Sequence, residues 1–562
     1  MASSSLNRAQ RRDHIGRMAE ETFDIVVIGG GVTGCGAALD AASRGLSVAL
    51  VEQRDYSSGT SSRSSKLFHG GLRYLEHRNF SLVREALSER NLMLTQVCPH
   101  LTTPVSFLYP LQHRLWERLY VGAGVLIYDL MASRTDNPLP GHTHLSRTKA
   151  HEIAPALGER GWVGAVMYWD ALVDDARHTL TLARTAAGHG AVVASSVRAT
   201  DLIQEAGHVR GVEATDLEAG RHFRVRARMV INATGVWSDD IQAMAGDRGL
   251  DVEASKGIHI VVPGDRIRSE TGLILRTEKS VLFVIPWGRN WIVGTTDTPW
   301  ELRRAHPAAC RSDIDYLLGR VNGVLSEPLT HEDILGVYAG LRPLLSGESD
   351  DTSMLSREHA VIVSDTGLVS VAGGKYTTYR IMARDAVDAA VSGLDRPVPS
   401  SRTDEIALLG ATGWAEMMED PSRLGLPDPV RLLGRYGSEA AKVAALVSSD
   451  SSLADPLVDD APYLRAEIAF AALEEGALHL DDVLTRRTRI SIETFDRGLE
   501  ASLAATKIVA PILAWDDNTA TREIDHYRAR VEAERDSQSQ PDDNTADAAR
   551  MGAPDVRTGR SE

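Results

Sequence analysis

The sequence predicts an α/β fold. A Rossmann-like dinucleotide-binding domain is interleaved with an antiparallel-sheet substrate domain, and a helical C-terminal domain follows both. Three observations carry this. A strand, glycine turn, helix and second strand occupy residues 24–52. β-rich apolar runs separated by turns recur over residues 252–297. Beyond residue 401 the apolar residues fall at helical spacing among alanine, leucine and acids.

The first of these reads DIVVIGGGVTGCGAALDAASRGLSVALVE. Ile25 to Ile28 is an unbroken apolar run, as a strand buried on both faces requires. Gly29, Gly31 and Gly34 then give G-x-G-x-x-G. The first glycine makes the tight turn, the second admits a pyrophosphate to the backbone, and the third lets helix pack on strand. The N–H groups opening the helix face the phosphates. Gly45 stands where a glycine ends a helix, and Ser47 to Val51 forms the second strand. Glu52 follows Gly29 by 23 positions, near the ~20 expected of the acid that binds the ribose. An acid there favours an unphosphorylated ribose, hence FAD or NAD over NADP.

At 562 residues the chain exceeds one hydrophobic core, and two or three domains are expected. A net charge of −16 argues against nucleic acid as a partner. Cys35, Cys98 and Cys310 show no metal-ligand spacing, so no metal is expected and a reducing compartment is. Residues 1–21 are polar, carry Arg8, Arg11, Arg12 and Arg17, and lack the apolar core of a secretory signal. They are expected to be a disordered tail, as are most of residues 531–562. No apolar run reaches the ~18 residues of a spanning helix. The nearest, Leu119 to Ala132, is broken by Asp129 and reads as a packed helix. The Pro- and Ser-rich stretch Gly393 to Ser401 divides an interleaved unit, residues 22–400, from a helical domain, residues 401–530.

Between these landmarks lie the polar candidates. The segment GTSSRSSKLFHGGLRYLEH, residues 59–77, crowds hydroxyls, amides, Lys66 and His69 together. By composition it reads either as a solvated serine loop or as a loop following a cofactor's phosphates. A strand over residues 190–199, a meander punctuated by Gly207 and Gly220, and a strand over residues 221–232 lead to Ala233-Thr234-Gly235. That turn would return the chain to the nucleotide. Residues 113–144 form a substrate-side insertion. Arg342, Arg357 and Lys375 each sit near a turn or strand end. Arginine can grip a phosphate with two parallel hydrogen bonds, although each alone also reads as a surface ion pair. His259, with apolar neighbours downstream, alone reads as a core residue. Residues 429–436, 465–475 and 490–507 are expected as amphipathic helices, and Arg486, Arg487 and Arg489 as partners of nearby acids.

TSSRSSKLFHGGLRYLEH resembles the signature of the FAD-dependent, quinone-linked glycerol-3-phosphate dehydrogenases. WDALVDDAR (169–177), NATGVW (232–237), KGIHIVVP (256–263), FVIPW (283–287), GTTD (294–297), GLRP (340–343) and GGKYTTYR (373–380) continue the match. It covers about residues 22–530. The resemblance implies FAD as cofactor and sn-glycerol 3-phosphate as substrate, oxidised to dihydroxyacetone phosphate. It implies a membrane quinone as acceptor, with oxygen the alternative. It implies His259 as the base, Arg342 holding the substrate and its alkoxide, and Arg357 and Lys375 on the phosphate. Cofactor contacts are expected from Gly29, Gly31, Gly34, Glu52, Thr60, Ser61, Ser65, Lys66, Gly71, Ala233, Thr234, Gly235, Gly374 and Thr377. The expected location is cytoplasmic, with peripheral contact at the inner face of the cell membrane. A homodimer is left open.

Overall fold

The structure, a computed structural model, describes residues 3–72, 79–113, 116–133, 137–159, 161–247, 249–277, 281–346 and 358–557. Two sheets form among them. In the first, the strand Thr22–Ile28 lies between Val48–Val51 and Arg221–Asn232, parallel to both, so that Val26 stands beside Ala49 and Val230. Leu368–Gly373 and Val192–Ala194 extend it on either side, also in parallel. The alternation of the strand sorts its side chains. Ile25 and Val27 face the helices Val32–Ser43, Asp175–Gly188 and Tyr379–Val391. Val26 and Ile28 face the antiparallel meander of residues 197–232.

The second sheet is built on Val252–Pro263, paired antiparallel with Asn290–Gly294 and with Gly336–Leu345. It continues through Val281–Trp287, Gly272–Arg276, Thr102–Leu111 and Gly164–Val173 to the short edge strand Leu67–Phe68. All its pairings are antiparallel except Gly272–Arg276 with Thr102–Leu111. The loop before Leu67 therefore bridges the two sheets, and the site forms there.

Four local expectations need correction. The strand expected over residues 190–199 is two strands, separated at Ser195-Ser196, where Ser196 takes φ +55°. The first residues are not a disordered tail. Arg8–Glu20 is a helix capped by Asn7, which buries Ile15 and Met18. His14 Nδ1 bonds the Val193 carbonyl at 2.9 Å and Arg11 pairs with Asp216 at 2.6 Å. Nor are residues 531–557 disordered. The helix Asp517–Ser539 buries Tyr527 and Val531, and the helix Asp543–Arg550 returns to the sheet domain through Arg303–Asp547 at 3.0 Å. Lastly, residues 490–507 are not one helix: Gly498, at φ +81°, separates Ile490–Glu493 from Leu499–Leu513.

The C-terminal arginines are internal. Arg486 and Arg487 grip Asp55 at 2.5 and 2.6 Å, and Arg489 reaches Asp174 and Asp175 at 2.5 Å. They pin the helical domain beneath the cofactor loops. The helix Trp116–Ala132 is packed on one face only. Val125, Tyr128 and Ala132 are buried. Trp116, Leu119, Tyr120, Leu126, Ile127 and Leu130 form an exposed apolar stripe, with Leu119 73% accessible. Among the described residues no helix is long and apolar enough to cross a membrane.

Candidate active site

One continuous cavity of about 1160 Å³ joins the glycine turn of the first sheet to the inner end of the second. At the glycine turn, each glycine has its own reason. Gly29 takes φ +107°, and a Cβ there would lie 2.7 Å from the Ala233 carbonyl oxygen. A Cβ on Gly34 would lie 1.9 Å from the Gly29 carbonyl oxygen, so this glycine serves helix packing and is not on the cavity wall. A Cβ on Gly31 would meet only Ser61 Oγ, at 3.3 Å, and that face opens on the cavity. Ser61 Oγ accepts the Val32 N–H at 2.9 Å. Glu52, on the same wall, accepts the N–H groups of Gly30 at 2.7 Å and Arg54 at 2.8 Å. A helix N-terminus, a bare glycine face and an oriented acid fit the diphosphate and ribose of a dinucleotide.

These contrasts separate two substitutions. Gly31→Val should yield a folded protein that purifies without flavin, because the added atoms project into the cavity. Gly34→Val should lose the fold, because backbone cannot yield by the required distance. Flavin absorbance per protein and a thermal melt distinguish them. Full flavin content in Gly31→Val would contradict the assignment of this turn.

Thr60, Ser65, Gly71, Ala233, Thr234, Gly235, Gly374 and Thr377 also line the cavity. Thr60 donates to the Leu341 carbonyl at 2.6 Å, and Thr377 Oγ1 accepts the His69 N–H at 3.1 Å. Lys66 does not line it. Its Nζ is fully buried on Asp175 Oδ1 at 2.8 Å and the Ser62 carbonyl at 3.1 Å. Asp175 also accepts the Ser64 N–H at 2.9 Å and hydroxyl at 2.7 Å. A buried ammonium needs a buried counter-charge, and Asp175, far away in sequence, draws Lys66 beneath the loop and away from the cofactor. Arg357 lies outside the described residues.

At the second sheet, strand register brings His259 and Arg342 to the same cavity. His259 stands opposite Gly294, where a Cβ would come within 2.2 Å of its Cδ2. The ring stacks on Tyr338 with centroids 4.7 Å apart and planes 10° apart. Its Nε2 shares a hydrogen bond with the Ser65 hydroxyl at 2.9 Å, and its buried Nδ1 has no hydrogen-bond partner among the described residues. Burial, reinforced by Arg342 and Lys66, pushes its pKa well below the ordinary histidine value. The ring is therefore neutral near pH 7 and free to accept a proton. Arg342 donates to Thr295 Oγ1 at 3.1 Å and the Thr296 carbonyl at 3.0 Å, and stands 3.4 Å from Asp297. Lys375 and His69 complete this end of the wall. Thr295, Asp297 and Tyr338 are the residues that reading the sequence missed. GTTD marked the first two, but their role rests on pairing between distant strands. The trio Cys310, Asp313 and Asp543 has metal-like spacing, but the Lys256 ammonium sits against both carboxylates, 2.5 Å from Asp313.

Buried neutral histidines give stability a pH dependence. Burial pushes His69 and His178 down to about 3 and His100 down to about 4. Below pH 6.5 the unfolded chain binds protons on these residues that the folded chain refuses. Stability is thus lost as pH falls from 6.5 toward the folded values, by up to ~1.4 kcal/mol per pH unit per histidine. His479 has the opposite sign. Burial and Arg557 oppose its charge, but Glu218 and Glu523 outweigh them and push it up to about 10, so its contribution persists in acid. Urea melts should show a lower midpoint at pH 5 than at pH 7.5; equal midpoints would contradict this balance.

Comparison with known proteins agrees with the geometry. The family described as FAD dependent oxidoreductase matches residues 24–380, and the C-terminal domain of alpha-glycerophosphate oxidase matches residues 401–520. Glycerol-3-phosphate dehydrogenase 2 of Mycobacterium tuberculosis is 54% identical, over 99% of this chain and 96% of its own. The human mitochondrial glycerol-3-phosphate dehydrogenase is 37% identical over 90% of this chain and 72% of its own. Among solved structures, the Bacillus halodurans glycerol-3-phosphate dehydrogenase complexed with FAD superposes with a TM-score of 0.77 at 29% identity, covering 94% of this chain and 98% of that one. FAD is the cofactor these relations and the cavity agree on. With its glycine turn, its two-sheet cavity and its helical C-terminal domain, the chain belongs to the family of FAD-dependent glycerol-3-phosphate dehydrogenases.

Proposed function

We propose that the protein oxidises sn-glycerol 3-phosphate to dihydroxyacetone phosphate and delivers the electrons to a membrane quinone. The observation that carries this reading is the meeting of a neutral His259 with Arg342 and Lys375 in the cavity that begins at the dinucleotide turn. FAD, when bound, supplies the two-electron acceptor for the hydrogen on C2. His259 takes the C2 hydroxyl proton, held in place by Tyr338 and Ser65. Arg342, which stays charged, favours the alkoxide. Lys375 and Arg357 hold the phosphate. The dianion of the substrate offsets the surrounding cations, which raises the basicity of His259 toward its task.

The helix Trp116–Ala132 supports a quinone as the acceptor. Tyr120 and Ile127 belong to its exposed apolar stripe and also line the cavity. An apolar surface continuous with the cavity favours an acceptor that arrives from a lipid phase through peripheral contact. Oxygen is the second reading. The L-alpha-glycerophosphate oxidase of Mycoplasma pneumoniae shares the fold at 18% identity, with a TM-score of 0.52.

Two assays on the flavin-loaded enzyme test this. Glycerol should have a kcat/KM lower by at least ~10², because each charged hydrogen bond to a phosphate is worth about 1.5–3 kcal/mol; comparable values would exclude the phosphate pocket. Quinone reduction should depend on added lipid vesicles while a soluble dye is reduced without them. Hydrogen peroxide formed in step with substrate consumed would establish oxygen as the acceptor instead.

A further inference from the structure

A second cavity, of about 100 Å³, lies behind the flavin loop. It is bounded by residues 58–63, by His306 to Ala309, by Val337 to Ala339, and by the helices Asp517–Ser539 and Asp543–Arg550. Seven arginines and His306 line it, against three carboxylates. Several of those arginines are committed outward, as Arg489 is to Asp174 and Asp175. Six of the seven have a carboxylate partner, and Arg63 has none among the described residues. Glu534 is shared between Arg550 at 3.3 Å and Arg530 at 2.9 Å, and Arg530 also has Asp481 at 2.9 Å. Arg63 and His306 are half-buried, and among the described residues neither side chain has a hydrogen bond or ion pair. Removing cations from water without a counter-charge is costly, and the groups register it. Burial, aided by Arg550, pushes Arg63 down to about 9, and the same two causes push His306 well below its ordinary value.

We infer that this cavity binds a phosphate-class oxyanion, with Arg63, His306 and Arg550 as its ligands. Guanidinium forks match the paired oxygens of a tetrahedral oxyanion. A cavity of about 100 Å³ holds several water-sized groups, which is room for inorganic phosphate. Arg63 is shared with the wall of the large cavity, whereas His306 and Arg550 belong to the small one alone. The position gives the ion a consequence. It would tie the last two helices to the flavin loop and to the strand that carries Tyr338 and Arg342.

Calorimetric titration of the FAD-loaded full-length enzyme with inorganic phosphate, at constant ionic strength in chloride, tests this. Saturable binding with a Kd at or below about 1 mM is expected, over and above any at the substrate's phosphate pocket, with a rise in Tm that chloride alone does not give. His306→Gln and Arg550→Gln should each weaken it about tenfold or more, with flavin content and dye-linked kcat unchanged. Should Arg550→Gln fail to fold, His306→Gln, on a separate segment, and the wild-type titration still read the site. Glycerol 3-phosphate supplies the second arm. Two binding events for it, one sensitive to His306→Gln, would support the site with a phosphate ester as ligand. Three results overturn the inference. One is no heat of binding up to about 10 mM phosphate. Another is a Tm rise matched by chloride. The third is a phosphate titration that both variants leave unchanged.

Discussion

Replacing His259 by alanine is expected to slow reduction of the enzyme's flavin by glycerol 3-phosphate by about 10²–10⁴-fold. Flavin content should stay near wild type, because the glycine turn is built from the other sheet. KM should move less than kcat, since the proton transfer belongs to the transition state. The same ring sets a pH signature. Burial, Arg342 and Lys66 hold its pKa below the ordinary value, so its accepting form exists above that pKa and is lost as pH falls through it. The acid limb of kcat/KM should therefore lie below pH ~6.5. Truncation also strips the Ser65 hydroxyl of its partner and opens a gap beside Tyr338, so some loss of stability is expected as well. A thermal melt measured beside stopped-flow reduction keeps the two effects apart. A normal reduction rate in a less stable variant would remove His259 from the chemistry and turn attention to His69 on the same wall.

Arg342→Lys is expected to lower kcat/KM by about 10–10²-fold, with both kcat and KM affected. The substitution keeps a positive charge but loses the planar fork. In the native site that fork is held by Thr295 Oγ1 and the Thr296 carbonyl, with Asp297 beside it. A lysine cannot meet these acceptors and the substrate with one fixed geometry. The bare backbone of Gly257 makes room for the guanidinium, since a Cβ there would lie 2.4 Å from its Nη2. Wild-type kinetics in Arg342→Lys would show that only charge matters at this position.

What could be read in the sequence divides along a physical line. The nucleotide turn was legible because each role in it is local: Gly29, Gly31, Gly34 and Glu52 act within one strand–helix–strand unit. The placement of His259 and Arg342 on one cavity was reached through motif resemblance, and their partners were not. Ser65, Tyr338 and Asp297 join them through strand register and a loop crossing between sheets. Lys66 departs from its motif for the same reason. Its motif is cofactor-like, but its charge is claimed by Asp175, 109 positions on. The terminal helices are not legible in the sequence because their buried stripes are narrow. Ile15 and Met18 stand among arginines, and much of what the last helix buries is charge, with Asp547 and Arg550 paired to distant residues. Composition marks such segments as solvated, and only tertiary contact overrides it.

The most direct measurement is the flavin absorbance of the purified enzyme before and after anaerobic glycerol 3-phosphate. The expected result is bleaching of the oxidised flavin at low substrate concentration, absent with glycerol at the same concentration and slowed by the His259→Ala change. A spectrum unchanged by glycerol 3-phosphate, in protein that carries its full complement of FAD and is bleached by a chemical reductant, would contradict the proposed reaction.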